Sequence, residues 1–350
     1  MPKPRNPENK GLPARWKQQH GAYYYRVPPG LEMLWENKQM FRLGKTLPEA
    51  YKEWAKRLDS MDKANTIGQL LDRYALEVVP TKAAATQMGN SRHIKRLRAV
   101  FGHMSLTSLE PKDVYKYADK RGSKVNARQE IGVLSHAFTK AVEWGYINKH
   151  PFKGEVRLQA EQSRTRYVED WEVLECLALA PMRKSGSVHT IQAYIRLKLL
   201  TGLRQGDLLR LTESMLTEDG ILVTPRKTQT SSGKQTIYEW SEELRAAVVL
   251  AKEARPVHIS PYLFCNKWGE CYMDEKNGRA YGWSSMWQRF MDRVLTETKV
   301  KERFTEHDLR AKAASDAGSI EHARALLSHV NSNITQRVYR RKPEKVKPLR

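Results

Sequence analysis

Four side chains near the end of this 350-residue sequence have the types and spacing for phosphoryl chemistry: His307, Arg310, His329 and Tyr339. His307 and Arg310 stand three apart in FTEHDLRAKAASDAG, and on a helix that spacing puts both on one face. His329 follows Arg310 by 19 residues, and Tyr339, the sole tyrosine beyond that histidine, comes 10 later. A guanidinium, two imidazoles and a phenol are the parts of a pocket for a phosphate oxyanion with an oxygen nucleophile beside it. A phenol near its ordinary pKa of ~10 attacks poorly, so the site must gather positive charge at the phosphate and provide a base for the phenolic proton. Taken singly, each residue also has a plain reading as a cap, a packing residue or a solvated cation.

The set gains weight from LKLLTGLRQGDLLRLT, a hundred residues earlier, where an apolar helix end runs into Thr201, Gly202, Leu203 and Arg204, and Asp207, Leu208 and Leu211 begin another helix. TGLR, HDLR and LLSH, in that order and followed by Tyr339, resemble the phage integrase (tyrosine recombinase) family. The resemblance implies Arg204, His307, Arg310 and His329 around a scissile phosphate and Tyr339 as nucleophile. Members of the family usually carry the tyrosine nine residues after the late histidine; here the interval is 10, so the turn between Asn331 and Thr335 must hold one more residue. The family also places a general-acid lysine on a hairpin, and Lys227, followed by Thr228 ahead of SSGK, matches its KT pair. Lys234 and Arg226 are alternatives that spacing alone does not rank.

The chemistry implied runs without cofactor. Arg204 and Arg310 each fork hydrogen bonds onto non-bridging oxygens. His329 donates to the same phosphate, His307 holds it or takes the tyrosine's proton, and attack by Tyr339 gives a 3′-phosphotyrosyl bond and a 5′-hydroxyl protonated by Lys227. The bond energy is conserved, so rejoining needs no ATP. No carboxylate cluster suited to a two-metal site accompanies these residues, and Asp207 and Asp308 read as helix-start residues. No metal is expected.

The elements that position this set belong to a chain with formal net charge +22, which points to a polyanionic partner, and its length suits two or three domains. Double-stranded DNA is the expected partner. The lack of a long apolar run excludes a membrane-spanning reading. Cys176, Cys265 and Cys271 are too few and too scattered for a disulfide framework, and Cys265 and Cys271 lack zinc-knuckle spacing. The expected location is the bacterial cytoplasm, on DNA.

Residues 1–45 carry nine Lys or Arg against three Glu, with Pro2, Pro4, Pro7 and Pro13 keeping the opening extended. Two aromatic runs, His20–Val27 and Gln39–Leu43, read as strands, and Thr46 with Glu49 forms a capping box for a helix to about Leu58. This front resembles the arm-binding domain of lambda-type integrases, which implies a three-stranded sheet plus helix and DNA contacts from Lys3, Arg5, Tyr24 and Arg26. From Thr66 the pattern turns helical, with Ile67, Leu70, Leu71, Tyr74 and Val78 on one face until Pro80. A second helix spans about Ala83 to Phe101 with Arg92, Lys95, Arg96 and Arg98 on its outer turns; a third follows Pro111, and a fourth joins Ile131, Leu134, Phe138 and Val142. Arg92, Lys95 and Arg96 are the expected DNA contacts of this four-helix core-binding unit.

A polar stretch from Lys153 to Thr165 leads to a helix from Asp170, and Ile221–Thr224 and Thr236–Trp240 read as strands. The expectation is a multidomain, mainly α chain with small β elements: an arm-type domain over 1–62, a helical core-binding domain over 63–155 and a mixed α/β catalytic domain over 156–350. The resemblance implies a site-specific recombinase that integrates, and on the same chemistry excises, a mobile element. It would act as a homotetramer on core-type and arm-type attachment sites, with a DNA-bending host factor and an excisionase as further partners. A type IB topoisomerase shares the chemistry but not the domain order, and a non-catalytic DNA-binding regulator would have no use for Tyr339.

Overall fold

The computed structural model describes residues 9, 12–13, 15–27, 29, 32–59, 64–159, 164–182, 187–226, 229, 233–275 and 278–343. The chain forms two compact units, 1–161 and 162–350, which part within the polar stretch after Lys153.

The first unit opens with three antiparallel strands in order: β1 (Trp16–Gln19), β2 (Ala22–Arg26) and β3 (Met40–Gly44). His20 and Gly21 join β1 to β2 with φ of 50° and 67°, the paired left-handed geometry of a two-residue hairpin turn. Of the three consecutive tyrosines Tyr25 is the buried one, with its ring centroid 4.6 Å from both Trp35 and Trp54. Helix α1 (Leu47–Asp59) starts as expected, Thr46 N–H and Lys45 N–H donating to Glu49 Oε2 at 3.3 and 2.9 Å. β1 is a strand that the sequence reading did not locate.

Helix α2 (Ile67–Arg73) starts at a Thr66–Gln69 capping box, buries Ile67, Leu70 and Leu71, and widens into a π turn over Tyr74–Val78 before Pro80. α3 (Ala84–Phe101), α4 (Pro111–Lys120) and α5 (Lys124–Glu143) complete the bundle. Two expectations need correction. Val142 is exposed, and Ala141 takes the buried place, because the face of α5 drifts by one residue over its twenty. Arg98 is not on the outer surface but ion-pairs with buried Asp72 of α2, since a buried carboxylate demands a partner. Beyond α5, the Arg73 guanidinium lies 4.4 Å from the Trp144 ring and donates to Tyr146 Oη at 2.6 Å, which fixes the turn through Trp144 and Gly145 against α2.

Glu130 of α5 is 1% exposed and is the polar centre of this bundle. It accepts from Tyr117 Oη at 2.6 Å and from Arg121 Nε and Nη2 at 2.8 and 3.1 Å. Burial alone would raise its pKa, but the Arg121 guanidinium and the Tyr117 hydroxyl outweigh it and hold the carboxyl below its ordinary value.

The second unit contains α6 (Asp170–Ala178), α7 (Ser187–Thr201), the one-turn α8 (Gln205–Leu208), a two-stranded hairpin of β4 (Gly220–Val223) and β5 (Thr236–Glu239), then α9 (Glu242–Glu253), α10 (Tyr281–Glu297), α11 (Glu306–Asp316) and α12 (Ile320–Leu326). A short helix α13 (Ser332–Ile334) and a π turn, Thr335–Tyr339, follow. Its core is aromatic: Tyr194 of α7 sits 4.6 Å from Trp283 and 5.6 Å from Phe264, ring to ring. α11 packs against α7 and buries Leu309 through Ser315, so both arginine-bearing segments rest on one core.

Glu130→Ala should destabilise the first unit by about 3–5 kcal/mol, the usual cost of stranding one partner of a buried ion pair. Because its folded pKa is depressed, this contribution is present above the unfolded pKa and is lost as pH falls through the folded one. Urea midpoints of wild type and variant should therefore converge at acid pH.

Candidate active site

The floor of the site is the turn after α7. Thr201 Oγ1 donates to Leu197 O at 2.6 Å and accepts from Leu203 N–H at 3.3 Å, which closes the helix and turns the chain. Gly202 takes φ +60°, and a Cβ there would stand 2.8 Å from Leu327 Cδ2, so both conformation and space call for glycine. Arg204 occupies the N-cap position of α8 with extended backbone, and its side chain lines a cavity of about 520 Å³. Asp207 is a brace: its Oδ1 accepts from Arg226 N–H at 3.1 Å.

The wall is α11, begun by a reciprocal box in which Thr305 Oγ1 accepts from Asp308 N–H and Asp308 Oδ2 accepts from Thr305 N–H at 2.8 Å. One turn in, Arg310 is 1% exposed. Its Nη1 donates to Gly202 O, and its Nη2 donates to Leu327 O at 2.9 Å and to His329 Nε2 at 3.1 Å, while Nε has no hydrogen-bond partner among the described residues. The reading of Arg310 as a solvated helix face is thereby excluded. Burial, then the neighbouring Arg204, lower its pKa. A guanidinium nevertheless stays protonated.

His329 enters from a residue in the left-handed region, Ser328 at φ +51°, which shares a 2.9 Å hydrogen bond with Thr236 of β5. Arginine only donates, so His329 Nε2 accepts, and the ring proton lies on Nδ1, 2.8 Å from Thr335 Oγ1.

Tyr339 is 8% exposed, with its ring 5.1 Å from His329, 5.2 Å from His307 and 5.4 Å from the Arg310 guanidinium carbon. The long interval between His329 and Tyr339 contains a π turn after Thr335, not the wider Asn331–Thr335 turn that the sequence led one to expect, with Arg340 N–H donating to Thr335 O five residues back, at 3.1 Å. A π turn holds one residue more than an α turn, so the ring reaches the pocket despite the longer interval. Arg341 then pins the segment. Its Nη1 donates to fully buried Asp308 at 2.6 Å and its N–H to Ser315 Oγ at 2.7 Å, while Ser315 Oγ donates to Tyr339 O at 2.9 Å. Burial would raise the Asp308 pKa, but Arg341 and the Thr305 bonds outweigh it and keep the carboxyl low.

His307 completes the mouth of the cavity. The residue is exposed, yet desolvation at the cavity, then Arg310, Lys198 and Arg341, push its pKa down to about 4. It is a neutral imidazole at pH 7, able to accept a proton or to donate one hydrogen bond.

The structure thus gathers Arg204, His307, Arg310 and Tyr339 on one cavity, with His329 behind Arg310. Lys227, Lys3 and Arg5 lie outside the described residues. Of the alternatives to Lys227, Arg226 donates to both Glu275 oxygens, at 2.9 and 2.7 Å. Arg26 is exposed and Tyr24 half-buried on β2, and Arg92, Lys95 and Arg96 are exposed on α3. Arg96 also lies 3.8 Å from Glu130. Sequence reasoning missed Lys198, Gln205, Glu306 and Arg341. Lys198 had one legible sign, a charge inside the apolar run LKLLTGLR. Among the described residues no group of three or more His, Cys, Asp or Glu could hold a metal, and no helix is long and apolar enough to cross a membrane.

The second unit's fold and this constellation define a tyrosine recombinase. Residues 172–345 match the model of the phage integrase family. A lambda integrase dimer bound to a COC' core site is similar over 97% of this chain and 99% of its own, at 19% identity and a TM-score of 0.62. A lambda integrase tetramer bound to a Holliday junction gives 0.63 with the same identity and coverage. The Tn1549 transposon integrase in complex with circular intermediate DNA is similar over 78% of this chain and 94% of that one, at 17% identity and a TM-score of 0.60. No curated protein sequence matches the chain. The chain belongs to the phage integrase family and is a site-specific tyrosine recombinase.

The cationic surroundings of His307 have a direct readout. Its Hε1 resonance should titrate near pH 4, and Arg310→Met, which removes the nearest opposing charge, should move the midpoint upward.

Proposed function

We propose that this recombinase cuts and rejoins double-stranded DNA with Tyr339 as nucleophile. The observation that carries this reading is the phenol's position, 5.4 Å from the carbon of a fully buried guanidinium on the cavity that Arg204 also lines. The scissile phosphate enters that cavity and takes hydrogen bonds from Arg204 and from the donors of Arg310 that backbone carbonyls leave over. His329 fixes the plane of Arg310. Tyr339 Oη forms the new bond to phosphorus, its proton passes to the neutral His307, and the P–O5′ bond breaks. The departing 5′-oxygen takes a proton from the hairpin lysine, Lys227 on the strength of the family's KT pair. The reverse step joins a 5′-hydroxyl of the exchanged strand to the phosphotyrosine, so no energy source is consumed.

Two supports extend the reading to the rest of the chain. The net charge of +22 suits a polyanion, and lambda integrase, the structural relative, is known as a dimer on a core site and a tetramer on a Holliday junction. On that basis residues 1–62 read arm-type sites through Lys3, Arg5, Tyr24 and Arg26, residues 63–155 clamp the core site through Arg92, Lys95 and Arg96, and residues 156–350 carry the chemistry in a homotetramer. Integration and excision of a mobile element, with a DNA-bending host factor and an excisionase, in the cytoplasm of a bacterial host, follow from the same likeness. The complete set up to Tyr339 favours an enzyme over a DNA-binding regulator.

A nicked duplex carrying the core site should give a covalent protein–DNA adduct with wild type and none with Tyr339→Phe, at equal binding. Arg204→Ala and Arg310→Ala should each slow the adduct by about 10²- to 10³-fold, as for loss of one oxyanion donor, with affinity changed only a few fold. An adduct from the phenylalanine variant would remove Tyr339 from its role.

Tyr24→Ala combined with Arg26→Ala should leave that adduct unchanged but lower recombination of full attachment sites at least ~10-fold, because bridging two sites depends on the effective concentration that the linked module provides. Equal recombination by the variant would reduce the front of the chain to an accessory surface.

A further inference from the structure

The cavity that holds the site is lined by two charged groups with no part in the reaction described above, Lys198 and Glu306. Lys198 of α7 is 1% exposed, and its Nζ makes one long hydrogen bond, 3.4 Å to Tyr194 Oη. Glu306, the residue before His307, lines the same cavity and is the one carboxylate among its described lining residues. Its Oε1 accepts from Gln205 Nε2 at 2.7 Å, its Oε2 is buried, and the carboxylate lies beside the Tyr194 hydroxyl that Lys198 also contacts, adding to the rise that burial gives the phenol's pKa.

Each contact has a mechanical sense. Gln205 directly follows Arg204, and Glu306 lies one turn before Arg310, so their hydrogen bond spans the two segments that bear the phosphate-binding arginines. It sets the separation of Arg204 from α11. A carboxylate is nonetheless the wrong charge for a cavity that must accept a phosphodiester. An uncompensated anion there would repel the incoming phosphate, the more so because the cavity wall screens poorly. The nearby cation is Lys198. Burial pushes its pKa down to about 7 and Arg310 and Arg204 add to the fall, while Glu306 first and Asp207 after it favour the ammonium form.

Resting on the reading of Arg204 and Arg310 as phosphate ligands, we propose that Lys198 is a positioning residue of the phosphate site. Its ammonium neutralises Glu306, so that Glu306 can hold Gln205, and with it Arg204, against α11 without repelling the scissile phosphate. Lys198 itself needs no contact with the substrate.

The test is charge rescue, measured as single-turnover adduct formation by the full chain on a nicked duplex that wild type cleaves. Lys198→Met should slow the adduct by about 10²-fold, comparable to the loss of one donor of an oxyanion site, while binding the duplex within a few fold of wild type. Adding Glu306→Gln to Lys198→Met removes the stranded anion but keeps an oxygen for Gln205, and should restore at least ~10-fold of the lost rate. A purely structural lysine would show no such rescue, because the second change replaces none of its packing. Should Lys198→Met fold poorly, Glu306→Ala provides an independent arm: it deletes the brace and should slow the adduct ~10-fold. A double variant as slow as the single one, a Lys198→Met as fast as wild type, or a Glu306→Ala as fast as wild type would each overturn the proposal. Tyr339→Phe is run alongside. If it still forms the adduct the functional reading has failed, whereas its loss of adduct together with an absent rescue rejects only the role of Lys198.

Discussion

Arg310 is the point on which the second unit turns. Its guanidinium is almost wholly removed from solvent, a state that a cation tolerates only when its donors are met. Nη1 and Nη2 reach Gly202 O from the end of α7, Leu327 O from the end of α12, and the His329 ring, and Nε alone has no partner among the described residues. Hydrogen bonds to a charged group contribute about 1.5–3 kcal/mol each, so one side chain welds three distant segments together. Each weld doubles as placement of a site residue. Gly202 precedes Arg204 by two, Leu327 precedes His329 by two, and both intervals are fixed once their carbonyls face Arg310.

The same burial sets the electrostatics. Arg204, Lys198, Arg310 and Arg341 crowd one region, and their summed field acts on every titratable neighbour. Second to burial in both cases, it helps to bring the His307 pKa down to about 4 and that of Lys198 to about 7. A field of this sign opposes the protonation of its neighbours and suits the phosphate that the proposed reaction brings to it. The charges are preorganised, so little rearrangement remains at the moment of reaction. Buried Asp308 compensates part of the field by accepting from Arg341, and Glu306 compensates another part near Lys198. Anions are thus present but are held by hydrogen bonds to helix starts and arginines.

Tyr339, the proposed nucleophile, is held differently from its neighbours in the site. Arg204, His307 and Arg310 stand on or beside regular helices, whereas Tyr339 closes a π turn after a one-turn helix. Such a segment has few intrahelical bonds of its own, and its order comes from Arg341, Ser315 and the packing of the ring between two imidazoles. Placement of Tyr339 therefore depends on contacts to α11 more than on local propensity.

Much of this was legible in the residues alone. The words TGLR, HDLR and LLSH and the last tyrosine marked Arg204, His307, Arg310, His329 and Tyr339 because they are local and their residue types are chemically unusual together. Capping pairs such as Thr46–Glu49 and breakers such as Pro80 and Pro111 delimited helices for the same reason: their physics is complete within four residues. What only the tertiary structure decided are relations between segments far apart in sequence. The inward turn of Arg98 to Asp72, the Gln205–Glu306 bond across 101 residues and the grip of Arg310 on Gly202 O depend on which helix lies opposite. The one-residue excess before Tyr339 belongs with them. An insertion can be read from sequence, but its absorption in a π turn depends on the ring being captured by α11, and that capture is a property of packing rather than of pattern.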